Sequence, residues 1–182
     1  MTSPPVRRAQ VLRVVGSALC IAAALAATAA AQPQVNQLAP DCAFTLAGQP
    51  GRTDLRQYRG KVVYLDFWAS WCGPCAISFP FMNLLQREDR ARGLQVIAVD
   101  MDRTRQDAER FLTSHPANFA VALDGNEKCA RDFGVAGMPT SYLIDRNGVI
   151  RQIHTGFRQG EAGRLRGLVE KVIGETSATT AN

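Results

Sequence analysis

The apolar residues fall into two patterns: near-continuous runs that read as buried strands, and three- or four-residue steps that read as amphipathic helices. Residues 62–68, Val-Val-Tyr-Leu-Asp-Phe-Trp, form the longest such strand run. It predicts a central strand over Lys61 to Trp68, buried on both faces. A second strand is predicted over Leu94 to Val99, a third over Phe119 to Leu123 and a fourth over Thr140 to Ile144. Between them lie helical stretches. Ala76 to Arg90 carries Phe79, Met82 and Leu85 at three-residue steps, and Pro80 within it predicts a kink, because proline lacks a backbone N–H. Thr104 is placed to cap Arg105 to Ser114 and turn Phe111 and Leu112 inward. Residues 126–133 read as a short helix carrying Cys129. Gln159 to Ile173 shows Leu165, Leu168, Val169 and Val172 on one face. At the start of the folded part, Ala43 to Leu46 reads as a strand and Thr53 as the cap of a short helix, Asp54 to Tyr58. Asn147-Gly148 predicts a hairpin that returns Val149 to Thr155 antiparallel. Strands alternating with helices predict an α/β fold: a mixed, mainly parallel sheet flanked by helices on both faces.

The ends read differently. Residues 1–31 have a basic start (Arg7, Arg8, Arg13), an apolar stretch from Val14 to Ala27, and Ala29-Ala30-Ala31, a small-x-small cleavage pattern. This predicts an export signal, either cleaved or retained as an N-terminal membrane anchor. Residues 32–39 read as a linker, 40–174 as one domain and 175–182 as a disordered tail. The 21 Lys and Arg against 16 Asp and Glu give a net charge of +5. Three of those arginines lie in the acid-free segment 1–31. The rest is close to balanced, and no nucleic-acid signature appears.

The chemistry concentrates in Trp71-Cys72-Gly73-Pro74-Cys75, at the step from the central strand into a helix. Two cysteines at this spacing can close a reversible disulfide. Cys72 falls just before the helix, where unpaired N–H groups and the macrodipole favour a thiolate. A zinc site would need a second Cys/His pair, which His115 and His154 do not supply. Haem attachment would need a histidine where Ala76 stands. Export would remove Cys20 with the signal and leave Cys42 and Cys129 beside the CxxC pair. They are either a structural bridge closing a long loop, worth on the order of 4 kcal/mol, or two separate buried thiols. Asp66 places a carboxyl in the middle of an apolar strand. Its reading is a buried acid of raised pKa, set to take a proton from Cys75.

These residues carry a resemblance. The stretch Leu65 to Cys75 resembles the active-site segment of the thioredoxins, and Gly137-Met138-Pro139-Thr140 resembles their cis-proline loop. The added helix and strand over about Arg105 to Leu123, the export signal and Leu143 to Gly148 are similar to the TlpA/ResA-like branch of thiol–disulfide oxidoreductases. The resemblance covers about Pro40 to Ile173. It implies a thioredoxin-like fold with an αβ insertion before the cis-proline loop. It also implies Cys72 as the attacking thiolate, Cys75 as the resolving thiol and Asp66 as its base. Trp71, Gly73, Pro74, Met138 and Pro139 would form the substrate-binding surface. One departure is plain: ResA-like members often carry Glu three residues after the second cysteine and a neutral residue at the Asp66 place, whereas this chain has Ser78 and Asp66.

The function this implies is an exported, periplasmic or otherwise extracytoplasmic, reductase of protein disulfides. It would be recharged by a membrane thiol carrier and would need no cofactor and no metal. Cysteines of cytochrome c or copper-site assembly would be the targets. The alternatives are a disulfide oxidant or isomerase, and a copper-binding chaperone using Cys72 and Cys75 as a soft-metal pair.

Overall fold

The computed structural model describes residues 32–124 and 127–175. The strands are β1 (Ala43–Leu46), β2 (Thr53–Asp54), β3 (Val62–Trp68), β4 (Leu94–Asp100), β5 (Ala120–Leu123), β6 (Thr140–Ile144) and β7 (Ile150–Thr155). The helices are α1 (Gly73–Asp89), α2 (Arg105–Ser114), α3 (Lys128–Asp132) and α4 (Ala162–Gly174). The sheet order is β2-β1-β5-β4-β3-β6-β7. The fold is thioredoxin-like, with α2 and β5 filling the stretch expected as the insertion.

The expectation of a mainly parallel sheet holds only at its centre. β3 pairs parallel with β4, and β4 with β5; the other neighbours pair antiparallel. Parallel neighbours need a helix to carry the chain back along the sheet. α1 and α2 do so, but the connection through α3 does not. β6 therefore starts at the sheet end where β5 finishes, and runs antiparallel beside β3.

β3 is buried along its whole length, and its alternation sorts the core in two. Val62, Tyr64 and Trp68 pack with Phe79, Met82 and Leu85 of α1, Phe111 of α2 and Leu165 and Val169 of α4. Val63, Leu65 and Phe67 pack with Phe44, Leu55, Cys129 and Phe133. The same alternation puts Asp66 on the α1 side. That position matters, because it is the side on which the CxxC pair lies.

Several local expectations are corrected. α1 begins at Gly73, three residues before the predicted start, with Pro80 inside it. Thr53 pairs with Phe44 in β2, and Asp54 caps the following turn by accepting a hydrogen bond from the Arg56 N–H at 2.8 Å. In the β6–β7 turn only Gly148 has a positive φ, 78°. The loop is thus longer than a two-residue Asn-Gly turn and is held by Asp145, whose Oδ1 accepts from the N–H groups of Asn147 and Val149. The stretch expected as a linker is laid along the start of β7. The Asn36 N–H donates to the Ile150 carbonyl at 2.7 Å, and the Ile150 N–H donates to Gln37 at 2.8 Å. The predicted signal or anchor (1–31), the tail beyond Glu175 and the start of the predicted 126–133 helix lie outside the described residues. Among the described residues, no helix is long and apolar enough to cross a membrane.

Candidate active site

β3 ends at Trp68, and four residues later Cys72 caps α1. Cys72 is in extended conformation, and its Sγ accepts a hydrogen bond from the Cys75 N–H at 3.2 Å. The same N–H, in the first turn of the helix, also donates to the Cys72 carbonyl at 3.1 Å. The two sulfurs are bonded, with Cα atoms 5.2 Å apart. Cys75 is 0% exposed and Cys72 5%; both are buried, and Cys72 is the one nearer the surface, next to the exposed Trp71. Gly73 and Pro74 are exposed, with Pro74 in the first turn of α1, where its missing N–H costs nothing.

The rim mixes the apolar Trp71 and Met138 with polar and charged side chains, among them Arg103, Asp107 and Glu127. Trp71 is 72% exposed, whereas Trp68 is core, edge-on to Phe79 and tilted against Phe111. The loop between them is tied down by Asp102, whose carboxylate accepts from the Ser70 N–H and the Ser70 hydroxyl, both at 2.9 Å. The Asp102 N–H in turn donates to Asp100 at 3.0 Å. Burial pushes the Asp100 carboxyl up to about 7; that N–H opposes the shift and the neighbouring Asp102 carboxylate adds to it. Across from the disulfide, the Met138–Pro139 peptide is cis. The Pro139 carbonyl accepts from the Gly156 N–H at 2.7 Å, and the Thr140 hydroxyl donates to the Gly137 carbonyl at 2.7 Å. A groove of about 560 Å³ opens between Trp71 and Met138, with Ser70 and Asp102 in its wall. An extended peptide bearing a disulfide could lie there.

Asp66 sits under this surface, 1% exposed. Its Oδ1 accepts from the Ser141 hydroxyl at 2.7 Å, and among the described residues its Oδ2 has no hydrogen-bond partner. Burial pushes the carboxyl up to about 7, against the pull of the Ser141 hydrogen bond. A carboxyl poised near neutrality on the face of the sheet that carries α1 can exchange a proton with a thiol there.

The other cysteines lie on the opposite face. Cys42 and Cys129 are bonded, with Cα atoms 5.0 Å apart and 87 positions apart in sequence; each is 1% exposed. The structure thus places Cys72, Gly73, Pro74 and Cys75 at the start of α1, with Trp71 just before it. Met138, of the cis Met138–Pro139 pair, lines a groove with Trp71. Asp66 lies on the face of the sheet that carries α1, and Cys42 and Cys129 lie on the other face. The sequence reading missed Ser141 and the Ser70–Asp102 tie. Ser141 is a polar residue inside an apolar strand, the same kind of signal that picked out Asp66. The tie joins residues 32 apart and left no local pattern. Among the described residues, no three His, Cys, Asp or Glu side chains gather as a metal-binding group.

A CxxC disulfide capping a helix beside a cis-proline loop, on this sheet, defines a thioredoxin-fold protein with a redox-capable dithiol. The Redoxin family model matches residues 34–168, and the chain belongs to that family. It is 36% identical over 123 residues to the thiol-disulfide oxidoreductase ResA of Geobacillus thermodenitrificans, covering 67% of this chain and 70% of that one. It is 34% identical over 140 residues to ResA of Bacillus anthracis, covering 76% and 79%. Among solved structures, one presented as the thiol:disulfide interchange protein DsbE of Chlorobium tepidum superposes with a TM-score of 0.75 at 45% identity. That match covers 79% of this chain and all of the other. The chain is a thiol–disulfide oxidoreductase of the ResA/DsbE type.

Proposed function

We propose that the protein is an exported reductase of protein disulfides. The Cys72 thiolate attacks one sulfur of a substrate disulfide, forming a mixed disulfide and releasing the other substrate sulfur as a thiolate. Asp66 takes the proton of Cys75. The Cys75 thiolate then attacks Cys72 Sγ, closing the Cys72–Cys75 disulfide and releasing the second substrate thiolate. Two electrons pass from enzyme to substrate, and a membrane thiol carrier restores the dithiol. Trp71, Gly73, Pro74, Met138 and Pro139 form the surface on which the substrate segment rests, and Cys42–Cys129 is a structural brace. The domain works outside the cytosol, tethered by residues 1–31 or freed by their cleavage. Its targets, following the ResA-like resemblance, are the cysteines of cytochrome c or copper-site assembly.

The observation that carries this reading is the Cys72–Cys75 disulfide capping α1, with a buried carboxyl, Asp66, pushed up to about 7 on the same face of the sheet. Thioredoxins with the same Gly-Pro dipeptide are reducing, at about −270 mV. The test is stoichiometric. The reduced protein is mixed with a disulfide-bonded protein substrate, and thiols are counted on both. Transfer of two electrons per Cys72–Cys75 pair supports the reading. A protein that instead oxidises substrate dithiols, or that holds Cu(I) against a competing chelator and reduces nothing, contradicts it.

A further inference from the structure

Asp66 does not stand alone in the core. The Tyr64 hydroxyl donates to Ser141 Oγ at 2.9 Å, and the Ser141 hydroxyl donates to Asp66 Oδ1 at 2.7 Å. All three side chains are buried. A serine hydroxyl has one proton to give. With Tyr64 donating into its oxygen, that proton is committed to Asp66. The register explains the meeting: Asp66 pairs with Ser141 across β3 and β6, and Tyr64 lies two residues along on the same face.

We propose that Ser141, held by Tyr64, is the positioning residue for Asp66: the one-way chain from Tyr64 through Ser141 occupies Oδ1 and leaves Oδ2 as the oxygen that receives the Cys75 proton. This rests on the reading of Asp66 as the base for Cys75. It deepens that reading by saying which oxygen acts and what holds it. Donors linked in sequence polarise one another, so the chain favours the carboxylate over the acid more than Ser141 alone would. Burial, with the Asp66 charge beside it, raises the Tyr64 phenol above its ordinary pKa. Tyr64 therefore remains a donor across the range in which Asp66 titrates.

The other groups facing Asp66 leave this role to the chain. Its partner on β4 is the apolar Ala98. Asp100, two residues further along β4, sits opposite Trp68 and is engaged by the Asp102 N–H. On β7, His154 pairs with Ser141 in register and lies 3.6 Å from Glu161. From α1 comes the Cys72–Cys75 disulfide, which does not titrate while oxidised.

The experiment follows the Asp66 carboxyl by carbon NMR across pH in the oxidised protein, with Asp66→Asn to identify the resonance. Ser141→Ala is expected to raise the Asp66 pKa by about one unit, the size of a lost charge-assisted hydrogen bond. Tyr64→Phe, which removes only the oxygen, moves it the same way by less. Ser141→Thr returns it toward the wild-type value, and His154→Asn leaves it in place. In single-turnover reduction at pH 7, Ser141→Ala is slowed about fivefold and recovers as pH rises. A Ser141→Ala pKa within 0.2 unit of wild type, or a His154→Asn shift as large as that of Ser141→Ala, overturns the proposal. The base reading fails separately: a wild-type pH–rate profile with no step at the measured Asp66 pKa removes Asp66 from the reaction whatever Ser141 does.

Discussion

The two disulfides of this chain have the same bond and opposite surroundings. Cys72–Cys75 joins cysteines three positions apart at the start of α1, beside the exposed Trp71. Cys42–Cys129 spans 87 residues and lies among Phe44, Leu55, Phe67 and Phe133. A thiolate formed at Cys72 would be stabilised by the Cys75 N–H at the start of α1 and would lie next to the exposed Trp71; one formed at Cys42 or Cys129 would be buried among hydrocarbon. The comparison teaches that reactivity belongs to the site and not to the bond. A reagent needs an accessible sulfur, a stabilised thiolate and a proton acceptor, whereas a brace needs a long loop to close and exclusion from solvent.

The largest effect expected is on chemistry. Cys72→Ser removes the nucleophile and should cut reduction of a protein disulfide by at least about 10³-fold. Stability should fall by about 2 kcal/mol in the chain-entropy model, about half the cost of opening the long Cys42–Cys129 loop. Cys75→Ser should instead trap the substrate as a mixed disulfide, visible by mass.

The mirror experiment is the double variant Cys42→Ala, Cys129→Ala. In the chain-entropy model, opening this long loop costs about 4 kcal/mol, read by urea denaturation. The rate per folded molecule should remain that of the wild type. Loss of turnover in the folded double variant would break the comparison.

Asp66 sharpens it through pH. Its carboxyl is pushed up to about 7 in the fold. Between the ordinary carboxylate pKa and that value, the folded protein holds a proton that the unfolded chain has released. Stability therefore falls as pH rises from about 4 to about 7 and levels off above. Asp66→Asn removes this dependence. Between pH 5 and pH 8 the variant should gain on the order of 3 kcal/mol relative to wild type, a difference that does not depend on the fixed cost of placing an amide there. A wild type and variant with parallel stability–pH curves would contradict the raised pKa.

The smallest effect is at the rim. Trp71→Ala should raise KM for a protein substrate several-fold and leave stability within about 0.5 kcal/mol, as usual for an exposed position.

The amphipathic steps and the strand runs made most elements of the domain legible, since burial periodicity is a local property. The CxxC at a strand–helix step and the lone Asp66 in an apolar run were legible for the same reason: each breaks a local pattern in a way only chemistry explains. What stayed hidden depends on contacts distant in sequence. The antiparallel entry of β6 follows from which end of the sheet the α3 connection leaves the chain at. The docking of residues 36–39 on β7 follows from that strand's unpaired edge. Whether Cys42 and Cys129 meet was open in the sequence, because nothing local links β1 to α3.

The most direct test is a redox titration of the chain from residue 32 onward, with each cysteine pair alkylated and followed separately by mass. The account predicts that Cys72–Cys75 titrates alone near the thioredoxin end, about −270 mV, while Cys42–Cys129 stays oxidised below about −300 mV. Two pairs that titrate together, or a Cys72–Cys75 midpoint near −120 mV, the potential of a strong oxidant, would contradict it.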